Sequence, residues 1–260
     1  LKAIKELGQH FLTDSGIAAQ IADLGDIKTH ERIWEIGPGT GILSKEIISR
    51  GATLEAFELD KRMARILGES FGDKIDLILT DILKLNWLHQ ISMGSLPIKI
   101  IANIPYQITS PLLYEIQKHA QYFPLVVLMV QKEVAQRLSA KPGKKEYGPL
   151  TLKIGLCYNV KTAFFVNRQY FDPIPKVDSA VIVMNARTTK PDIMHPKIFE
   201  KVLTAAFAHR RKTLRNNLLP VLGKNVLSNI EMKIDMDFSR RAETLDEKDF
   251  ILLSNTIAQL

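Results

Sequence analysis

Ile33-Trp34-Glu35-Ile36-Gly37-Pro38-Gly39-Thr40-Gly41 decides the fold. Ile33–Ile36 is a short apolar run that reads as a strand. Three glycines follow, and Ile42–Arg50 then shows helical patterning. Glycines between a strand and a helix let the backbone turn tightly and approach a ligand, whose polar groups meet free N–H donors at the helix start. The spacing is G-x-G-x-G with Pro38 inside it, not the G-x-G-x-x-G of dinucleotide sites. Read for structure alone, the loop is a tight strand-to-helix turn. Outward from it, Leu54–Leu59, Ile75–Leu79, Ile98–Ala102 and Leu125–Val130 are further short runs, apolar on nearly both faces. Such runs predict strands buried between helices in a parallel sheet. Lys61–Phe71 and Ser110–His119 predict intervening helices, and Asp14-Ser15 predicts the start of another. The order gives a doubly wound α/β fold.

The pattern changes after Val130. Residues 141–146 form a polar, breaker-rich loop, and a helix is expected over about 149–158. Val160–Val166 and Ser179–Met184 read as two more strands, closing the sheet like a hairpin around the proline-rich 171–175. Residues 190–196 read as a linker. Beyond it only helical patterns remain, at Ile198–Ala208, Thr213–Leu219 and Lys248–Ala258. A first domain over 1–189 and a small all-α domain over 190–260 are expected.

A chain of 260 residues, 46% hydrophobic and 24% charged, has material for a real core. No apolar run approaches the ~18–20 residues of a membrane span, and residues 1–12 lack the apolar run of a signal peptide. The single cysteine, Cys157, excludes an intrachain disulfide and a cysteine-based zinc site. It reads as a buried small hydrophobe in a reducing compartment, and no metal is expected. Net charge is +7. Residues 187–260 hold 13 Lys and Arg against 9 Asp and Glu, a net +4, whereas residues 1–186 carry only +3. That excess points to a polyanionic partner.

Side chains at strand ends supply the chemistry. Glu58 closes the second strand, beside the loop in this fold, where a carboxylate accepts both ribose hydroxyls of a nucleoside cofactor. Asp60 is the weaker choice. Asp81, in Thr80-Asp81-Ile82, is placed to accept from an adenine amine; its structural alternative is a cap. Asn103-Ile104-Pro105-Tyr106 ends the fourth strand. An aromatic amine is a poor nucleophile because its lone pair is delocalised. The Asn103 side-chain oxygen and the Ile104 carbonyl can hold its two N–H groups and aim the lone pair at a methyl donor. Pro105 fixes the turn and Tyr106 stacks on the base. Without a ligand, the tetrad reads as a capped turn with Tyr106 in the core.

On these motifs the chain resembles the ribosomal RNA adenine N6,N6-dimethyltransferases of the KsgA type, nearly end to end. The resemblance implies a Rossmann-like class I methyltransferase sheet with helices on both faces, S-adenosylmethionine as cofactor, and methylation of two adjacent adenosines near the 3′ end of small-subunit ribosomal RNA. Gly8-Gln9-His10-Phe11-Leu12 resembles the family's N-terminal motif, with His10 where many members have Asn. It implies that Gln9, His10 and Leu12 join Gly37, Gly39, Glu58, Leu59, Asp81, Ile82 and Asn103 around the cofactor. Phe171, in Phe171-Asp172-Pro173-Ile174-Pro175, resembles an aromatic that faces the target base opposite Tyr106, as base flipping requires; its structural alternative is a core aromatic. A sister group that methylates large-subunit RNA shares the tetrad. Residues 131–138, 147–150 and 207–218 resemble the small-subunit group more closely. Lys141, Lys144 and Lys145, with Arg210, Arg211, Lys212 and Arg215, are candidate phosphate contacts; otherwise they are solvated charge or braces between the domains. A non-catalytic RNA-binding assembly or transcription factor would show damage in the loop or tetrad, and both are intact. A nicotinamide-dependent oxidoreductase is disfavoured by the glycine spacing. A bacterial cytoplasmic monomer is expected.

Overall fold

A computed structural model describes residues 3–4 and 7–260. Leu1, Lys2, Lys5 and Glu6, part of the stretch read above for a signal peptide, lie outside the described residues. The chain divides into two compact units. One comprises residues up to Ala135 plus Tyr158–Ala186; the other comprises Gln136–Cys157 plus Arg187–Leu260.

The strands are β1 (Phe11–Leu12), β2 (Arg32–Ile36), β3 (Thr53–Glu58), β4 (Ile75–Leu79), β5 (Ile98–Asn103), β6 (Leu125–Gln131), β7 (Tyr158–Val166), β8 (Phe171–Asp172) and β9 (Ser179–Ala186). Seven build one sheet in the order β4-β3-β2-β5-β6-β9-β7. The first five are parallel, and β9 runs antiparallel to both β6 and β7. The sheet thus grows in opposite directions from β2, toward β3 on one side and β5 on the other. This switch point leaves a crevice beyond the strands' carboxyl ends.

Every residue of β2 is buried. Arg32 is tolerated there because Glu55 pairs with its guanidinium and the Ile91 and Gln90 carbonyls accept at 2.8 and 2.7 Å. Trp34 anchors an aromatic cluster with Phe57, Phe123 and Trp87, at centroid distances of 4.9, 5.3 and 5.5 Å. A separate core gathers Ile21, Ile33, Leu43, Ile47, Leu67 and Ile101 beneath the helices α1 (Ser15–Leu24), α2 (Ile42–Ser49) and α3 (Lys61–Phe71).

The predicted strands and helices of this unit are all present within a residue or two. The two-residue ribbon of β1 and β8, and the helix α4 (Trp87–Ser92), were not foreseen. The helix α5 (Thr109–Lys118) follows the tetrad, and α6 (Lys132–Leu138) follows β6.

In the second unit, α7 (Pro149–Gly155) stops short of the expected 158, because Tyr158 already belongs to β7. The helices α8 (Pro196–Ala206), α9 (Leu214–Leu222), α10 (Lys224–Lys233) and α11 (Glu247–Ala258) complete it. Pro196 opens α8 at the position where a missing N–H is harmless. Tyr147 and Leu152 enter the core formed by Phe199, Leu203, Leu218, Ile230 and Phe250. This packing assigns residues 136–157 to the helical unit, so the boundary expected at 189/190 becomes a discontinuous one. Cys157 is half-buried, and burial pushes its thiol up. Among the described residues no helix is long and apolar enough to cross a membrane, and no cluster of three or more His, Cys, Asp or Glu side chains is placed to hold a metal.

Candidate active site

A cavity of about 240 Å³ opens at the switch point. Its walls come from residues 7–12, the glycine loop, Glu58-Leu59, Thr80–Leu83 and the tetrad through Ile108. The three loop glycines have φ of +67°, +57° and +84°, and Gly41 caps α2. At Gly37 a Cβ would lie 3.1 Å from Cδ of Pro105. The missing side chain therefore brings loop and tetrad into contact, joining the two motifs into one site.

Glu58 is buried at the end of β3. Its Oε1 accepts from the Leu59 and Asp60 N–H groups at 2.8 Å each, and its Oε2 from Gly39 N–H at 3.2 Å. Burial raises its pKa, and the three backbone donors act the other way. A carboxylate offers about four acceptor positions, so hydroxyl donors are accommodated when the long Gly39 bond yields. Asp60 turns away from the cavity's centre. It caps α3, pairs with Arg62 at 2.6 Å and accepts from Gln9 Nε2 at 2.8 Å. These partners hold its carboxyl far below the usual range. Asp81 combines both readings made of it. Its Oδ1 accepts from Leu83 N–H at 3.0 Å as a cap, and the residue also lines the cavity. Leu59, half exposed, and the buried Ile82 add apolar walls suited to a flat ring.

Asn103 ends β5, paired with Met129 of β6. Ile104 is buried, Pro105 has φ −58°, and Tyr106 opens a short 3-10 turn. The Tyr106 hydroxyl lies 2.6 Å from Oγ of the buried Ser179, and burial pushes its phenol up, so it stays neutral.

Gln9, His10 and Leu12 of the N-terminal motif all line the cavity. Gln9 lines the cavity but latches the chain, since its Oε1 accepts from Ile4 N–H at 2.8 Å while its amide donates to Asp60. Leu12 is core on its other side, opposite Phe171 in the ribbon. His10 stacks on Tyr106, with centroids 5.7 Å apart and planes inclined by 27°. Phe171 is 2% exposed, packs in the core and is absent from the cavity wall. Facing a base from this position requires its side chain to swing out of the core.

The basic residues all fall in the second unit. Lys141, Lys144, Lys145, Arg211 and Lys212 are exposed. Arg210 pairs with Glu243 at 2.9 Å and donates to the Lys145 carbonyl, and Gly143 N–H donates to the Glu243 carbonyl at 2.7 Å. Arg210 therefore braces the 141–145 loop within its own unit. Arg215 makes a two-oxygen bridge to Glu231 at 2.8 Å.

Two participants escaped individual assignment. Glu35, in the cavity wall, receives a 2.6 Å bond from Ser44 Oγ, and burial pushes its carboxyl up to about 8. Its signal was its place two residues before the first loop glycine. Ser179, the partner of Tyr106, gave no signal beyond a strand start.

Comparison with known proteins agrees with this geometry. The sequence model of the family described as "Ribosomal RNA adenine dimethylase" matches residues 1–259. The chain belongs to the ribosomal RNA adenine dimethylase family. It is 38% identical over 270 aligned positions to "Ribosomal RNA small subunit methyltransferase A" of Lactobacillus helveticus, covering 99% of this chain and 92% of that one. It is 39% identical to the protein of the same name from Crocosphaera subtropica, covering 98% of each. Among solved structures it is similar to a dimethyladenosine transferase from Plasmodium falciparum, with TM-score 0.76, 27% identity and coverage of 94% and 96%. The 23S rRNA methyltransferase ErmE shares the fold at TM-score 0.72 and 22% identity, covering 96% of this chain and 100% of that one. The family's class I methyltransferase fold is the seven-stranded sheet described above.

Proposed function

We propose that this dimethylase-family chain transfers methyl groups from S-adenosylmethionine to N6 of two adjacent adenosines near the 3′ end of small-subunit ribosomal RNA, giving N6,N6-dimethyladenosine. The observation that carries the reading is the contact of Pro105 with the Gly37 turn, which sets the amine-holding tetrad against the cofactor loop. The donor set fits the cofactor. Gly37 and Gly39 provide a cradle that a Cβ would fill, and Glu58 provides a carboxylate for the ribose diol. Leu59, Asp81 and Ile82 line the same cavity, where Leu59 and Ile82 would flank the adenine and Asp81 would accept from its amine.

When bound, S-adenosylmethionine supplies an electrophilic methyl group. Asn103 Oδ1 and the Ile104 carbonyl would accept from the two N6–H groups of the unmodified target and turn the nitrogen lone pair toward that methyl; in the second round the single remaining N6–H keeps one of these acceptors. Tyr106, anchored by Ser179, supports the base. The methyl–sulfur bond breaks as the new C–N bond forms, and the N6 proton then passes to solvent, so no strong general base is needed. Positioning and exclusion of water carry the rate.

The helical unit contributes phosphate contacts through Lys141, Lys144, Lys145, Arg211 and Lys212, with Arg210 and Arg215 partly engaged by Glu243 and Glu231. The substrate in this reading is a small-subunit precursor particle, the setting ribosome biogenesis in the cytoplasm, and the enzyme a monomer. The test is transfer of labelled methyl to small ribosomal particles that lack the modification, with large-subunit RNA in parallel and nucleoside analysis of the product. Label in N6,N6-dimethyladenosine from the small particle alone is expected. Label only in large-subunit RNA, or binding without transfer, would replace this reading.

A further inference from the structure

We propose that Phe165 and Lys132 form a platform for an unpaired nucleotide of the RNA strand flanking the target adenosine. The inference rests on the function proposed above and adds a contact outside the cavity. Phe165 lies in the edge strand β7 and is 57% exposed. A lone exposed apolar side chain is ordinary, so its surroundings decide what it means. The β7–β9 register slips here, since Thr162 pairs with Ile182 and Phe164 with Val181, leaving Ala163 as the extra residue of a bulge. Without that residue Phe165 would fall on the face of Val181 and Val183, which pack in the main core. The bulge turns it to the opposite face, beside Ala180. There Lys132 Nζ sits over the ring, 5.1 Å from its centroid. Lys132 is exposed and pairs with no carboxylate among the described residues.

Both residues sit at the carboxyl edge of the sheet, where the tetrad lies. Phe165 is the penultimate residue of β7 and Lys132 directly follows β6, and both strands run antiparallel to β9. The Lys132 N–H donates to the Asp178 carbonyl at 3.0 Å, one residue before Ser179, which anchors Tyr106. The row Asn103–Met129–Val181–Phe164 crosses three strand spacings, about 14 Å at ~4.8 Å each. About four stacked nucleotides at ~3.4 Å span that distance, and fewer in a splayed strand. An aromatic face beside a cation matches a base and its phosphate: the ring stacks on any base, and the ammonium takes the phosphate. Arg168, also exposed, adds a cation to this edge, where its backbone N–H donates to Asp178 Oδ1 at 3.1 Å. An added β-strand is the competing occupant of a sheet edge, but the bulge interrupts the ladder such a strand would extend.

The test uses the full chain and the unmodified small ribosomal particle, with equilibrium particle binding measured apart from methyl transfer. Phe165→Ala and Phe165→Leu are expected to weaken particle binding about tenfold, and Phe165→Trp to keep it. S-adenosylmethionine affinity stays within about twofold of wild type, because the platform lies outside the cavity. Lys132→Gln is expected to shallow the log–log salt dependence by about 0.7, the value for one phosphate of a single strand. Thermal melts confirm that each variant folds. Phe165→p-benzoylphenylalanine is expected to crosslink on illumination to ribosomal RNA beside the target. Crosslinking to a ribosomal protein would make the contact a protein one and overturn the proposal. So would unchanged particle binding by Phe165→Ala, or Leu binding as well as Trp at this position. If the wild type shows the Phe165 dependence but labels no RNA, the proposed function fails and the platform stands. If it labels small-subunit RNA and Phe165 has no effect, the function stands and the platform falls.

Discussion

Replacing Glu35 with Gln is expected to stabilise the protein, and to do so increasingly as pH rises. Glu35 sits in β2 at 1% exposure, and its neighbours are Ser44, donating at 2.6 Å, and the second buried carboxylate, Glu58. Burial dominates and pushes the carboxyl from 4.5 up to about 8; Glu58 adds to the shift and Ser44 opposes it. Between those two values the folded chain keeps a proton that the unfolded chain has released. Stability from this group is thus fully present below pH 4.5, falls as pH rises, and levels off above 8. Each pH unit of the window is worth about 1.4 kcal/mol, which gives about 3 kcal/mol of lost stability at pH 7 and about 5 kcal/mol above pH 8. Gln has the size of Glu, is always neutral and still accepts from Ser44. Urea unfolding of wild type and Glu35→Gln at pH 5, 7 and 8 reads the difference directly. The gap is expected to grow from under about 1 kcal/mol at pH 5 to about 3 kcal/mol at pH 7. A Gln variant no more stable than wild type at pH 7, or a gap independent of pH, would refute the claim that Glu35 is held protonated.

Gly41→Ala places a Cβ 2.5 Å from Phe71 Cε2 and 2.9 Å from Leu67 Cδ2, at φ +84°. A loss of about 2–4 kcal/mol in chemical denaturation is expected, with weakened S-adenosylmethionine binding by calorimetry. Glu55→Ala leaves the Arg32 guanidinium buried without its counter-charge, held only by backbone carbonyls, and is expected to lower unfolding free energy by about 3–5 kcal/mol. The double variant Arg211→Ala, Lys212→Ala is expected to weaken RNA binding and to shallow its log–log salt dependence by about 0.7–0.9 for each phosphate no longer neutralised. Arg210→Ala should change that slope less, because Glu243 already engages the guanidinium.

The sheet was legible in the sequence because parallel strands buried on both faces are written as continuous apolar runs. The strand-end acceptors followed from that order, since topology alone brings Gly37, Glu58, Asp81 and Asn103 to one edge. What escaped depended on partners distant in the chain. The β1–β8 ribbon has two residues per strand, too few for a period, and it decides both that Phe171 is core and that His10 meets Tyr106. Glu243 and Glu231 lie 33 and 16 residues from the arginines they engage. Nothing near Arg210 and Arg215 shows that these charges are partly satisfied. Residues 136–157 look like a continuation of the first domain, and only the insertion of Tyr147 and Leu152 into the helical core reassigns them. The short helices α4 and α10 carry mixed polarity, and the apolar face of each is defined by what it packs on.

The central claim is that the tetrad performs the chemistry while the glycine loop and Glu58 hold the cofactor. The most direct measurement is single-turnover methyl transfer by Asn103→Ala on the unmodified small particle, with S-adenosylmethionine and particle affinities measured in parallel. The account predicts transfer slowed by about 100-fold or more, because the amine is no longer aimed, with particle binding retained. Transfer by Asn103→Ala at the wild-type rate would contradict it.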